Sequence, residues 1–168
     1  MSNNKIWRND DVSYETDLRS FQEVQRMFKK HVVLHTVALI CNGIEKNPKL
    51  IEYINANNID VQIHCWDHVD FPDDYEKMDR DMPKCIETIE KHFRHRPLVV
   101  YPPHNKSDAM VEEIAKNHGL TVSAKKVSLS QYIRFNGRVG EDVINFHSWC
   151  FDEVLQLSEA LKIYSKLR

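Results

Sequence analysis

Short runs of apolar and β-branched residues alternate along the chain with longer stretches in which apolar residues recur every three to four positions. The first kind reads as strands, the second as amphipathic helices. The runs predict strands over Ile6–Asn9, Val32–Ile40, Ile59–Ile63, Leu98–Tyr101, Leu120–Val122 and Val143–Phe146, each short and mostly apolar, as buried parallel strands are. Leu18, Phe21, Val24 and Phe28 predict a helix over Asp17–Lys30, with Thr16 as its N-cap. Pro48 opens a second, carrying Leu50, Ile51 and Ile54. A third covers Asp74–Phe93, with Met78, Met82, Ile86, Ile89 and Phe93 inward, and Pro83 is expected to kink or divide it. The fourth starts at Ser107 and stops at Gly119, a residue suited to the position after a helix end. The last, Phe151–Leu167, is expected to close the core with Phe151, Val154, Leu155, Ser158 and Leu161.

Strands alternating with helices lead to a parallel sheet wrapped by helices, the α/β class. The chain has 168 residues, 42% of them hydrophobic, the size of one self-sufficient domain spanning 1–168. A full eight-stranded (β/α) barrel usually needs about 200 residues or more, so a barrel here is distorted and incomplete. An open doubly wound sheet is the alternative.

Charge adds an exclusion. The net charge is −2, and Lys and Arg are interspersed with Asp and Glu, so nothing in the electrostatics favours nucleic acid. The opening MSNNKIWRNDD has no apolar segment of export type and the longest apolar run, Val37–Cys41, is too short for a bilayer, so a cytoplasmic protein with no membrane partner is expected. Cys41, Cys65, Cys85 and Cys150 form no C-x-x-C pair and read as reduced, packed thiols.

The chemically useful residues gather where strand runs end: Asp10 and Asp11 after the first, His64 and His68 after the third, Tyr101 to His104 after the fourth, His147 after the last. In parallel α/β folds these loops lie on one face, where distant residues meet. Two histidines four apart can aim both rings at one point, and a catalytic zinc takes about three protein ligands plus water. Asp11 with His64 and His68 meets that requirement, leaving Asp10 as a free carboxylate beside it. The absence of H-E-x-x-H excludes a zincin protease.

These motifs, in this order, resemble those of the polysaccharide deacetylase, or NodB-homology, family of carbohydrate esterases. Asp10-Asp11 is similar to the family's Asp-Asp pair, in which the first Asp is the base and the second a metal ligand; His64 and His68 match its H-x-x-x-H. Tyr101-Pro102-Pro103-His104 resembles the Arg-x-Pro-aromatic loop, with Tyr101 for the arginine and His104 for the aromatic residue whose N–H serves an oxyanion hole. The arginine's role is then open to Arg96, Arg8 or a lysine such as Lys125. Ile144 to His147 resembles Leu-x-x-His, which makes His147 the general acid, but no segment of Ser123 to Arg138 matches the motif whose Asp supports that histidine.

The resemblance implies a distorted, incomplete (β/α) barrel and a divalent metal, Zn2+ or another such as Co2+. It implies removal of N-acetyl groups from an amino-sugar oligo- or polysaccharide; with an opening that does not read as an export segment, a cytoplasmic or phage-encoded enzyme acting on a precursor, or one released by lysis, is expected. Tyr101, Pro103, His104, Trp66 and Trp149 are the expected substrate contacts, and Asp67 and Asp70 candidate partners for the metal histidines. His31, His35, His92, His95 and His118 have no matched partner and read as surface or satisfied core residues. The altered third motif and missing fourth favour one rival, an inactive barrel that binds sugar or serves as a scaffold. A metal-dependent hydrolase or isomerase of another small substrate is the second.

Overall fold

A computed structural model of the chain describes residues 5–167; Met1–Asn4, part of the opening on which the export argument drew, lie outside the described residues. Strands and helices alternate: β1 (Ile6–Val12), α1 (Leu18–His31), β2 (His35–Ile40), α2 (Pro48–Ala56), β3 (Asp60–Cys65), α3 (Tyr75–Phe93), β4 (Val99–Val100), α4 (Ala109–Asn117), β5 (Thr121–Val122), β6 (Val127–Ser128), α5 (Leu129–Arg134), β7 (Val143–Phe146) and α6 (Phe151–Leu167). The seven strands belong to one sheet in the order β5-β4-β3-β2-β1-β7-β6. Pairs β1 with β7, β6 with β7, β3 with β4 and β4 with β5 are all parallel. The architecture is that of an incomplete (β/α) barrel, not a doubly wound sheet. Among the described residues no helix is long and apolar enough to cross a membrane.

Several expected boundaries shift, each for a local reason. Asp17, not Thr16, caps α1, accepting from the Ser20 N–H at 2.8 Å. Val32 does not begin β2; it ends α1 in a left-handed conformation at φ 53°. Asp108 caps α4, displacing the expected start at Ser107. Pro83 neither divides nor ends α3, which runs through it. β6 and α5 lie in a stretch with no predicted element; a Ser128–Gln131 capping box starts α5.

The chain falls into two compact units. Of the described residues, the first comprises 5–10, 16–36 and 125–167, and its core centres on Trp7. That indole meets the rings of Phe28, Tyr132 and Tyr164 edge-on at 5.6 to 5.8 Å, the favourable arrangement of aromatic quadrupoles. Leu157, Ala160, Leu161 and Tyr164 are the inward stripe of α6. Phe151 and Leu155, expected inward, are 74% and 59% exposed. Because alternate strand residues face opposite ways, placing Trp7 in this core turns Arg8 and Asp10 to the other face of β1, beside Asn145, the register partner of Arg8.

The second unit comprises residues 11–15 and 37–124. Val61 and Ile63 on β3, with Met78, Met82, Ile89 and Phe93 on α3, are buried in it, and α3 packs on β3 and α4. Its cysteines 41, 65 and 85 are buried free thiols, and burial pushes the Cys41 and Cys65 thiols well above their ordinary range.

Candidate metal centre and catalytic residues

In the second unit, β3 delivers His64 at its buried end and the following turn returns His68 four residues later. The His68 backbone N–H donates to Cys65 Sγ at 3.0 Å, which helps hold that turn. His68 is left-handed at φ 57°, as is Asp11 at φ 58°. Asp and His tolerate this region better than most residues, yet it is a sparsely populated one and such residues gather at functional sites.

The three side chains share a focus. Asp11 Oδ1 lies 3.0 Å from His64 Nε2 and 3.0 Å from His68 Nε2, and all three ligand atoms lie within 4.8 Å of one another. Ligands about 2.1 Å from a tetrahedral zinc stand about 3.4 Å apart, close to this spacing. The protonation pattern also fits. His64 Nδ1–H donates to the Tyr101 carbonyl at 2.6 Å, which fixes the tautomer and leaves Nε2 as the lone-pair nitrogen. Nε2 is buried and makes no hydrogen bond of acceptable geometry, so a cation coordinated there would satisfy an otherwise orphaned atom. The donor set therefore suits a divalent metal.

The loop after β4 contributes differently from expectation. Tyr101 is 3% exposed and reaches the site through its carbonyl; Pro103 is buried. His104 is left-handed at φ 50°, with its ring 5.0 Å from that of His68 and Nδ1 2.7 Å from Asp70 Oδ1. Lys106 and then His104 hold the Asp70 carboxyl below its ordinary range. Asp70 thus serves His104 and Lys106, and Asp67 pairs with Lys77 at 2.9 Å, whereas the histidine partner is the Tyr101 carbonyl. Trp66 is half-buried under the Lys84 ammonium, 5.4 Å from its ring centre.

In the first unit, Asp10 is 2% exposed and Arg8 fully buried. Arg8 Nε donates to Asp10 Oδ1 at 2.5 Å and Nη2 to Oδ2 at 2.6 Å, a bidentate fork of the strong, charge-assisted kind. Of the cations considered for the altered third motif, Arg8 is the one on Asp10, two residues away on the same strand face. Arg96 instead pairs with Glu90 and the His118 carbonyl. The Asn145 side-chain amide lies 3.3 Å from Asp10 Oδ2.

His147 directly follows β7, at the start of the turn that leads into α6. Its Nδ1 lies 2.9 Å from Glu153 Oε2, and the same oxygen accepts from the His147 backbone N–H at 2.6 Å. Burial pushes the Glu153 carboxyl up, but the hydrogen bonds and charge of His147 together with the charge of Lys126 hold it below its ordinary value. The sequence reading missed this carboxylate. The available signal was a Glu as third residue of the helix that follows, where such a side chain can reach back to the preceding backbone. Trp149 is 64% exposed, its ring 5.1 Å from that of His147.

Known proteins give the geometry its context. The fold is similar to that of a family 4 carbohydrate esterase from Streptomyces lividans in complex with acetate (TM-score 0.80, 16% identity, 97% of this chain and 88% of that one). It is also similar to the peptidoglycan deacetylase PdaC from Bacillus subtilis (TM-score 0.77, 16% identity, 99% and 87%). BA3943 of Bacillus anthracis, a family 4 pseudoenzyme, is likewise similar (TM-score 0.83, 13% identity, 99% of this chain), and there the chain spans 62% of the other protein. No curated protein matches by sequence. The polysaccharide deacetylase model matches residues 10–123, more than half the chain and including Asp10, Asp11, His64, His68 and His104. This chain belongs to the polysaccharide deacetylase family.

Proposed function

We propose that the chain is a metal-dependent hydrolase that removes N-acetyl groups from an amino-sugar oligo- or polysaccharide. The observation that carries the reading is the lone-pair nitrogen of His64, oriented by the Tyr101 carbonyl and left without a hydrogen bond beside Asp11 and His68. Asp11, His64 and His68 are the ligands in this reading, with Zn2+ the first candidate and Co2+ the second. When bound, such an ion supplies Lewis-acid polarisation of the acetyl carbonyl and of the attacking water.

The chain's own groups carry the protons. Asp10, held by both arms of Arg8, takes a proton from the water that attacks the amide carbon. The His104 backbone N–H is assigned to the oxyanion that develops. His147 Nε2 gives its proton to the amine nitrogen as the C–N bond breaks, with Nδ1 remaining on Glu153. Acetate and the free amino sugar leave, and solvent restores both proton inventories. Trp149, exposed beside His147, is assigned to stacking on a sugar ring.

The test is acetate release from N-acetylglucosamine oligosaccharides with and without added zinc or cobalt. Metal-dependent release is expected, and Asp10→Asn should lower it by about 10²-fold or more while zinc still binds in titration calorimetry. The likeness of the fold to that of a pseudoenzyme supports a second reading, an inactive sugar-binding barrel. Zinc binding and oligosaccharide binding without any acetate release would select it.

A further inference from the structure

We infer that Glu153 is the positioning residue of His147: one carboxylate oxygen fixes which ring nitrogen carries the transferable proton. This rests on the assignment of His147 as the general acid. The geometry is specific. Oε2 accepts from both the backbone N–H of His147, at 2.6 Å, and its ring Nδ1–H, at 2.9 Å, so the carboxylate grips the residue at two points and sets both ring orientation and tautomer. With Nδ1 so engaged, Nε2 is the nitrogen presented for proton transfer, as imidazole ligands and acids oriented by a second carboxylate are in general.

The local fold makes this grip rigid. Cys150 N–H donates to the His147 carbonyl at 3.1 Å, and the Cys150 carbonyl accepts from Val154 at 3.0 Å, so the turn from His147 runs directly into α6. Glu153, third in that helix, sits where the positive end of the helix dipole favours a carboxylate. Lys126 also acts on the Glu153 carboxylate, and Trp149 sets an uncharged ring beside His147. The supporting carboxylate therefore comes from the helix after the histidine, not from the segment Ser123 to Arg138 before it.

Two variants separate orientation from charge. Glu153→Gln keeps an acceptor oxygen and loses the charge; Glu153→Ala loses both. Imidazole 1H–15N correlation spectra of the metal-free protein should show His147 as the Nδ1–H tautomer in the parent chain and in Glu153→Gln, and a mixture in Glu153→Ala. In acetate release, Glu153→Ala should lower kcat by about 10- to 100-fold with little change in KM. Glu153→Gln should move the alkaline limb of the pH profile to lower pH, because the charge that favours the protonated ring is gone. An unchanged tautomer in Glu153→Ala, or an unchanged pH limb in Glu153→Gln, overturns the inference. If the parent chain releases no acetate, the function proposed above fails while the spectra still decide the role of Glu153.

Discussion

Arg8 and Asp10 form a fully buried ion pair, and such a pair is costly to break from one side. Removing one partner strands a charge away from water, at about 3–5 kcal/mol, whereas replacing both costs much less. Arg8→Met should therefore lower the urea midpoint sharply, and adding Asp10→Asn to it should recover much of the loss. Equal destabilisation in the single and double variants would show that the pair is not coupled. At this scale the three side chains that share one focus were legible in the sequence as candidate ligands, because His64 and His68 signal by spacing and Asp11 by adjacency to Asp10. Their supports were less so. Arg8 partners Asp10 because residues two apart on a strand share a face, a relation that needs the strand to continue past Asn9, as β1 does. Glu153 was hidden because its grip depends on where the chain turns between His147 and the helix. Tyr101 acts through its carbonyl, and a carbonyl leaves no mark on residue identity.

Among the elements, the junction of α1 and β2 shows what pattern reading confuses. Val32 and Val33 are β-branched and read as the start of a strand. Yet Val32 is 80% exposed and left-handed, its N–H closing the helix end on the Lys29 carbonyl at 3.1 Å. A left-handed backbone costs an L-residue roughly 1–2 kcal/mol, and glycine avoids that cost while loosening the unfolded chain by about 0.5–1 kcal/mol. Val32→Gly should thus stabilise the protein by somewhat under about 1 kcal/mol, raising Tm by about 2–4 °C for each kcal/mol gained. Val32→Ala, which keeps the Cβ, should give no such gain; a comparable gain in both variants would remove backbone strain as the cause. The same limit explains α6. The expected stripe holds at Val154 and Leu161, but Phe151 and Leu155 face outward and the fully buried positions begin at Leu157. Periodicity locates a helix well; which turn first meets the core depends on the element it packs against.

For the whole molecule, the alternation of short strands with helices predicted a parallel sheet, while pattern and length left a doubly wound sheet open and only the family resemblance pointed to the incomplete barrel. What it did not reveal is how the fold responds to pH, because that depends on a single enclosed ring. His35, one of the histidines read as surface or satisfied core, lies in the core of the first unit. It stacks on Phe28 at 4.6 Å, and its Nε2–H donates to Gln25 Oε1 at 2.6 Å. Nδ1 is buried with no hydrogen-bond partner, so a proton added there would have no acceptor. Burial pushes the His35 pKa down to about 3, against an ordinary 6.5. Between those values the unfolded chain binds a proton that the folded protein does not, so stability rises with pH across this window and falls as pH drops from about 6.5 toward 3. One such proton contributes a slope of up to about 1.4 kcal/mol per pH unit. Urea unfolding measured in steps below neutrality should show this slope, and His35→Phe, which keeps an aromatic ring on Phe28 but cannot titrate, should flatten it by that amount. An equal slope in the variant would assign the acid sensitivity to carboxylates such as Asp70 and Glu153, whose folded-state values are lowered and whose contribution is likewise lost as pH falls.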